Sequence, residues 1–116
     1  MLKSLIGQSA ETLAEAFLEK QGLKLVTRNW RCRFGEIDLI MQDGPTRVFV
    51  EVRLRNRNDF GGAAASVTTA KQKKLLAAAR LYLTTLKTLP PCRFDVVALT
   101  GDAPPEWIKN AFDDMG

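Results

Sequence analysis

Apolar residues recur at helical spacing near the start of the chain. Five of them follow the i, i+3, i+4, i+7, i+8 pattern of one helix face: Ala10, Leu13, Ala14, Phe17 and Leu18. Gly22 stands where a helix-ending residue is expected, so the pattern predicts a first helix that ends just before it. A second helix is predicted to run to about Leu86. The candidates for its N-terminal cap are Ser66, Thr68 and Thr69.

Short runs rich in β-branched and aromatic residues predict four strands: LKLVTRN, FGEIDLIM, RVFVEVRLR and RFDVVALT. A turn at 42–45 joins the second and third strands as a hairpin, and residues 56–65 are predicted to form a mobile loop. Pro104 and Pro105 are predicted to open a short C-terminal helix. That helix carries Trp107, Ile108 and Phe112. The predicted order is α-β-β-β-α-β with this helix appended, and the fourth strand runs parallel to the third.

The length and composition favour a single α/β domain over residues 1–116. Hydrophobic residues make up 46% of the 116 residues and charged residues 26%, as in ordinary globular proteins. No apolar run is long enough to span a bilayer and no signal peptide is recognisable, so we expect a cytoplasmic protein without membrane contact. There is no histidine, and Cys32 and Cys92 are far apart, which excludes zinc fingers and catalytic schemes with an imidazole base. Any metal would be a hard cation with oxygen ligands, such as Mg²⁺, Mn²⁺ or Ca²⁺.

Charge is distributed unevenly along the chain. Residues 1–93 hold 16 basic and 8 acidic side chains (net +8), whereas residues 94–116 hold one basic and five acidic ones (net −4). A basic body suggests a polyanionic partner, most simply nucleic acid. The alternative is an arginine-rich surface that is merely solvated.

Acidic side chains recur on both strands of the predicted hairpin. Glu36 and Asp38 are two residues apart and share a face, as do Glu51 and Arg53 on the partner strand. If the apolar sides of both strands meet on one covered layer, Asp38 and Glu51 become neighbours. Two adjacent carboxylates require a cation between them. That cation is either Arg53, in a cross-strand salt bridge on a solvated face, or a divalent metal.

Several segments of the sequence resemble those of a known family. The segments that carry the resemblance are GxxxE in the first helix (Gly7 and Glu11), RNWRCRFGEIDLI, VFVEVRLR, FGG, the helix containing Lys71, RFDVV and WIKNAF. Together they resemble the YraN-like family of uncharacterised bacterial proteins over nearly the whole chain. That family looks like a member of the PD-(D/E)XK nuclease superfamily, related in pattern to archaeal Holliday junction resolvases. The resemblance implies a restriction endonuclease-like α-β-β-β-α-β core, with a mixed sheet flanked by helices.

The resemblance also implies a site. Asp38 corresponds to the metal-binding Asp, Glu51 to the acidic member of (D/E)XK, and Glu11 to a first-helix Glu that helps to hold a metal. The expected cofactor is Mg²⁺ or Mn²⁺. Arg53 stands where the superfamily usually has Lys; it stays charged and cannot act as a base, but it could hold the scissile phosphate. The expected function is a metal-dependent endonuclease that hydrolyses phosphodiester bonds in DNA rather than RNA, in branched or damaged molecules, with a homodimer implied by the symmetric cuts of resolvases.

Their positions in the chain predict five further basic residues as DNA contacts: Arg55, Arg57, Lys71, Lys73 and Lys74. The three lysines crowd the start of the second helix, where cations oppose the helix dipole, which favours a phosphate-facing role. Lys71 is also a candidate to replace the missing Lys of the motif. Trp30 and Phe34 could stack on bases, with core packing the preferred interpretation of Phe34. Two alternatives stay open: a binding module that has lost catalysis, and a protein-interaction scaffold that uses the acidic tail.

Overall fold

The computed structural model describes residues 2–56, 62 and 67–112, with side chains described from Ala10 onward. Within these residues the chain forms two helices, α1 (Leu2–Lys20) and α2 (Thr69–Leu83). It also forms five strands: β1 (Lys24–Cys32), β2 (Gly35–Asp43), β3 (Thr46–Leu54), β4 (Cys92–Leu99) and β5 (Glu106–Phe112). The predicted α-β-β-β-α-β order is confirmed. Neither described helix is long and apolar enough to cross a membrane.

The strands form one mixed sheet in the order β1-β2-β3-β4-β5. β1, β2 and β3 form an antiparallel meander, and α2 then carries the chain over to β4, which runs parallel to β3. The predicted parallel crossover is therefore confirmed. β5 returns antiparallel to β4 and forms the second edge of the sheet.

Each face of the sheet is covered by one helix. The small and apolar side chains of α1, including Ala14 and Leu18, pack on Leu39, Val50 and Val97. Residues of α2 pack on the opposite face, against an aromatic and aliphatic cluster of Ile40, Phe49, Phe94 and Val96. β3 lies at the centre, so its successive residues are buried on alternate faces. The flanked mixed sheet that the resemblance implied is confirmed.

Local signals set the ends of both helices. Gly22 adopts φ +99°, and the Leu23 N–H donates to the Leu18 carbonyl, which ends α1 as predicted. Thr68 is the cap of α2, because its hydroxyl accepts a hydrogen bond of 3.2 Å from the Lys71 N–H. The predicted extension of α2 to Leu86 is wrong by one turn, since the helix ends at Leu83.

The predicted short C-terminal helix is wrong, because residues 106–112 form the strand β5. The reason is a buried carboxylate on the neighbouring strand. Asp95 accepts hydrogen bonds from the Trp107 indole at 3.0 Å and from the Asn110 backbone N–H at 2.9 Å. Asn110 has a left-handed φ of +52°, within a bulge that lies between the Phe94 and Val96 rungs. A contact from a distant strand thus overrides the local pattern.

Candidate functional site

The sheet opens between β2 and β3 at Asp38. The ladder of these strands runs from Asp43↔Thr46 to Leu39↔Val50 and stops there. Asp38 occupies the gap, and its Oδ2 accepts a hydrogen bond of 2.9 Å from the Val52 N–H. Ile37 packs towards α2 whereas Leu39 packs towards α1. Residues two apart would share a face in a regular strand, so the strand turns over at Asp38.

Asn29 lies opposite Asp38 on β1, between the pairs Arg28↔Leu39 and Trp30↔Ile37. Its φ of +50° is left-handed, a conformation that Asn tolerates better than most residues. Its side chain hydrogen-bonds Glu11 of α1. Sequence reasoning missed this residue, although an Asn within a strand pattern is a visible signal of irregularity.

Three carboxylates converge at this irregularity. One oxygen from each of Glu11, Glu36 and Asp38 lies within 4.8 Å of the others. A cavity of about 270 Å³ opens beside them, lined by Ala10, Glu11, Asp38, Val52, Arg53 and Leu54. Burial, and then the charge of Asp38, raises the pKa of Glu11. Such a set of oxygen ligands is the kind that hard divalent cations select.

Glu51 lies beside this cluster and is only 3% exposed. Its Oε2 faces two cations, Arg53 Nη1 at 3.6 Å and Lys71 Nζ at 3.8 Å. Its Oε1 is buried and has no N–H or O–H donor among the described residues when both acids are ionised. The Asp38 and Glu51 carboxyls lie within hydrogen-bonding reach of each other, so the two acids can share a proton.

The two acids titrate as a pair. Burial raises the pKa of Glu51 to about 8, the charge of Asp38 adds to this effect, and Lys71 and Arg53 oppose it. Burial also raises the pKa of Asp38, against the hydrogen bonds from Val52 and Glu51. The pair therefore retains one proton near neutral pH. This proton neutralises negative charge that a bound cation would otherwise neutralise.

The predicted neighbourhood of Asp38 and Glu51 is confirmed, but its predicted cause is wrong. We expected one apolar layer and one acidic face, whereas helices cover both faces of the sheet. The carboxylates meet because the strands separate at Asp38. Glu36 belongs to the cluster as well.

The predicted DNA contacts occupy different places. Lys71 lies against Glu51, whereas Lys73 and Lys74 are exposed on the first turns of α2. Arg55 is half-buried and extends β3 through a 2.8 Å hydrogen bond from its N–H to the Leu99 carbonyl. Arg57 and most of the predicted loop 56–65 lie outside the described residues, as do Ser66 and the acidic residues 113–114.

The two aromatic candidates separate in the structure. Trp30 packs against the α2 cluster, with its ring centroid 5.4 Å from that of Tyr82. The preferred core interpretation of Phe34 is wrong, because this side chain is 38% exposed at the β1–β2 turn. Leu13 is likewise largely exposed, although its spacing placed it on the buried face of α1.

Comparison with known proteins agrees with the segments that carry the resemblance. The chain is 57% identical over 115 residues to a protein of Nitrosospira multiformis, with 97% of each covered. It is 58% identical over 108 residues to a protein of Nitrosomonas eutropha, with 93% of each covered. A relative from Cupriavidus taiwanensis is 59% identical over 109 residues, which cover 92% of this chain and 82% of the relative. All three carry the same family description, whose model matches residues 10–99. The chain belongs to the uncharacterised protein family UPF0102, as its YraN-like segments indicated.

Proposed function

We propose that this protein is a metal-dependent nuclease that hydrolyses phosphodiester bonds in DNA, with Mg²⁺ or Mn²⁺ as cofactor. The observation that carries the proposal is the state of Glu51. One oxygen of this buried carboxylate has no hydrogen-bond donor in the described part of the chain, which is costly, and such groups are rare in folded proteins without a role. It lies against Asp38 and next to the cluster of Glu11 and Glu36.

A divalent cation fits these residues by the chemistry of their donors. Asp38 and Glu51 would be its principal ligands, with Glu11 and Glu36 close enough to complete the set or to hold water. Mg²⁺ and Mn²⁺ accept carboxylate and water oxygens, which matches a site without histidine or thiolate. When bound, such an ion supplies charge stabilisation at a phosphate oxygen and lowers the pKa of water.

Two cations border the acidic residues on the side of Glu51. Arg53 is part of the cavity wall and Lys71 approaches from α2. Arg53 offers a guanidinium that can bind two phosphate oxygens, and Lys71 adds a point charge. Their role would be to hold the phosphate against the carboxylates and to neutralise the charge that develops on it. The net charge of +8 over residues 1–93 supports a nucleic-acid substrate.

A second candidate is a nucleic-acid-binding module that does not cut. Arg53 is the observation that favours it, because the motif usually has Lys there and Arg cannot exchange a proton at neutral pH. Lys71 lies 3.8 Å from the same Glu51 oxygen, so the site retains a lysine from another element. This placement is why we prefer the nuclease.

The decisive experiment incubates purified protein with supercoiled, linear, single-stranded and four-way-junction DNA, with and without Mn²⁺. We expect cleavage only with Mn²⁺, and none from Asp38→Asn or Glu51→Gln. Glu15→Gln is the matched control, because Glu15 lies one turn beyond Glu11 on α1 but is ion-paired with Arg28. Its activity should equal that of the wild type.

The outcomes separate the candidates. Metal-dependent cleavage that survives undiminished in Asp38→Asn and Glu51→Gln would reject the assigned site. Binding without cleavage in every metal would favour the binding module. An absence of binding to all four DNAs would reject both.

A further inference from the structure

The β1–β2 hairpin has an unusual tip. Cys32 pairs with Gly35, so the turn consists of Arg33 and Phe34 alone. Two-residue hairpin turns favour Asn, Asp and Gly, because these tolerate positive φ. Neither Arg33 nor Phe34 adopts a positive φ, and Gly35 takes φ +141° instead. The turn therefore has no need of a phenylalanine, and the core does not bury it.

Basic side chains accompany this exposed ring. The Arg33 guanidinium carbon lies 4.8 Å from the Phe34 ring centroid, in a cation–π arrangement. Arg31 is exposed on the same hairpin and lies 3.5 Å from Glu36 of the carboxylate cluster. Aromatic rings accompanied by basic side chains are common in proteins that stack unpaired bases and hold the adjoining phosphates.

The ring forms one wall of a shallow groove against α2. The groove has a volume of about 310 Å³ and is lined by Phe34, Ala77, Arg80, Leu81 and Thr84. Its surface is mostly apolar, with one guanidinium at the side. A nucleotide has the matching shape and chemistry, since the flat faces of its base are apolar and its phosphate is anionic.

The groove lies close to the carboxylates. Phe34 is two residues from Glu36, so their Cα atoms are at most about 7 Å apart. Along α2, Ala77 is six residues beyond Lys71, which is about 9 Å of helix. A strand whose phosphate lies at Glu51 and Lys71 could therefore place a base a nucleotide or two away in this groove.

We propose that Phe34, with Arg33 and the α2 groove, binds an unpaired nucleobase next to the carboxylate site. The inference rests on the proposed function and specifies its substrate class: DNA with unpaired bases, as in single strands, gaps and the single-stranded arms of forks. Bases inside a continuous duplex are stacked on one another and offer no free face to Phe34. The groove would thus select open DNA, whereas the basic residues bind any phosphate backbone.

The test measures binding by fluorescence anisotropy in EDTA, so that cleavage does not enter the measurement. The probes are a single-stranded oligonucleotide and a relaxed, covalently closed circular duplex as competitor. Phe34→Ala should weaken binding to the single strand by about 5- to 100-fold, as expected for the loss of one stacked base. Binding to the closed duplex should change less than about 2-fold, and the salt dependence should be unchanged because no charge is removed.

Two variants complete the design. Phe34→Trp should keep single-strand binding, since the larger ring also stacks. Val26→Ala is the matched control, because Val26 is 41% exposed on the same hairpin but at the opposite end of β1. It should bind both DNAs as the wild type does.

Failure of this inference is distinguishable from failure of the proposed function. If the wild type binds no DNA, the proposed function falls and this inference with it. If the wild type binds but Phe34→Ala binds the single strand equally well, only the inference is overturned. Equal losses for Phe34→Ala and Val26→Ala, or for single strand and duplex, would also overturn it.

Discussion

Two buried carboxylates occupy adjacent rungs of the β3–β4 ladder, where Val50 pairs with Asp95 and Glu51 pairs with Val96. Asp95 is 0% exposed and Glu51 is 3% exposed, so burial does not distinguish them. Their partners do. Asp95 accepts hydrogen bonds from Arg93 Nε to both oxygens, from the Trp107 indole and from the Asn110 N–H.

Glu51 is incomplete by comparison. Its ion pairs to Arg53 and Lys71 are 3.6 and 3.8 Å long, and one oxygen has no donor among the described residues. A buried charge that the chain fully pairs serves the fold, because its partners hold elements together. A buried charge left partly paired is available to something from outside the chain. The comparison therefore separates a carboxylate that the fold satisfies from one that is open to the proposed metal, at nearly the same depth.

The largest expected effect concerns the saturated carboxylate. Asp95→Ala leaves Arg93 Nε, the Trp107 indole and the Asn110 N–H without their acceptor, and β5 loses its anchor on β4. We expect the free energy of unfolding to fall by about 3–5 kcal/mol, as for other broken buried pairs. Urea denaturation of the wild type and the variant measures this. A loss below about 1 kcal/mol would mean that Asp95 is not the anchor.

Glu51, the incompletely paired carboxylate, should lower the free energy of unfolding at neutral pH, whereas Asp95 raises it. The pKa of Glu51 is raised from 4.5 to about 8, so the folded state holds a proton that the unfolded state releases. Stability is then complete below about pH 4.5 and is lost as pH rises towards about 8. Over this pH interval we expect the free energy of unfolding of the wild type to decline by on the order of 2–4 kcal/mol. Glu51→Gln should remove that decline. Unfolding free energies of both proteins across this pH interval provide the measurement, and an unchanged slope in Glu51→Gln would contradict it.

A divalent cation should complete the unsaturated pair. At a concentration 100 times its dissociation constant, Mn²⁺ should stabilise the wild type by about 2.7 kcal/mol. The gain should grow with pH, because the cation displaces the shared proton. It should disappear in Asp38→Asn and persist in Glu15→Gln, both of which thermal unfolding can follow. If millimolar Mn²⁺ leaves the wild-type melting temperature unchanged, Asp38 and Glu51 do not form a metal site.

The smallest effects compare the two arginines. Arg93 uses separate nitrogens for Asp43 at 2.8 Å and Asp95 at 3.0 Å, a fork that Lys cannot reproduce. We expect Arg93→Lys to cost about 1–3 kcal/mol. Arg53 is partly exposed and makes a single longer contact with Glu51, so Arg53→Lys should change stability by less than about 0.5 kcal/mol.

Cleavage activity should order Arg53→Lys and Arg93→Lys in the opposite way to stability. Arg53→Lys retains charge but loses two-point phosphate binding, so cleavage should be reduced, whereas Arg93→Lys should retain cleavage as long as it is folded. Cleavage rates at a temperature where both variants are folded provide the measurement. Full activity in Arg53→Ala would remove Arg53 from the site and leave Lys71 as the cation to test.

Sequence reasoning succeeded where the information is local. The period of α1, the positive φ at Gly22 and the cap of α2 all depend on residues a few positions apart. The hairpin and the parallel crossover follow from turn residues and element order. It failed for β5, since the strand depends on Asp95, and the apolar residues after Pro105 also suit a short helix.

The candidate site divides in the same way. Asp38 and Glu51 could be paired from the hairpin, because their spacing and the turn between them are written in one stretch of chain. The opening of the ladder at Asp38 could not be read, since it requires the left-handed Asn29 on a third strand. In a strand with regular alternation, Asp38 would share one face with every second residue of β2.

The sequence by itself determined the family, the element order as far as β4 and the two central carboxylates. Only the tertiary structure decided that Glu11 of α1 and Lys71 of α2 reach those carboxylates from opposite helices. It also decided that, within the described ranges of the chain, Glu51 keeps an oxygen without a donor while Asp95 is saturated. The physical reason is that hydrogen-bond satisfaction depends on which donors the packing brings within about 3 Å, and those donors come from residues distant in the chain.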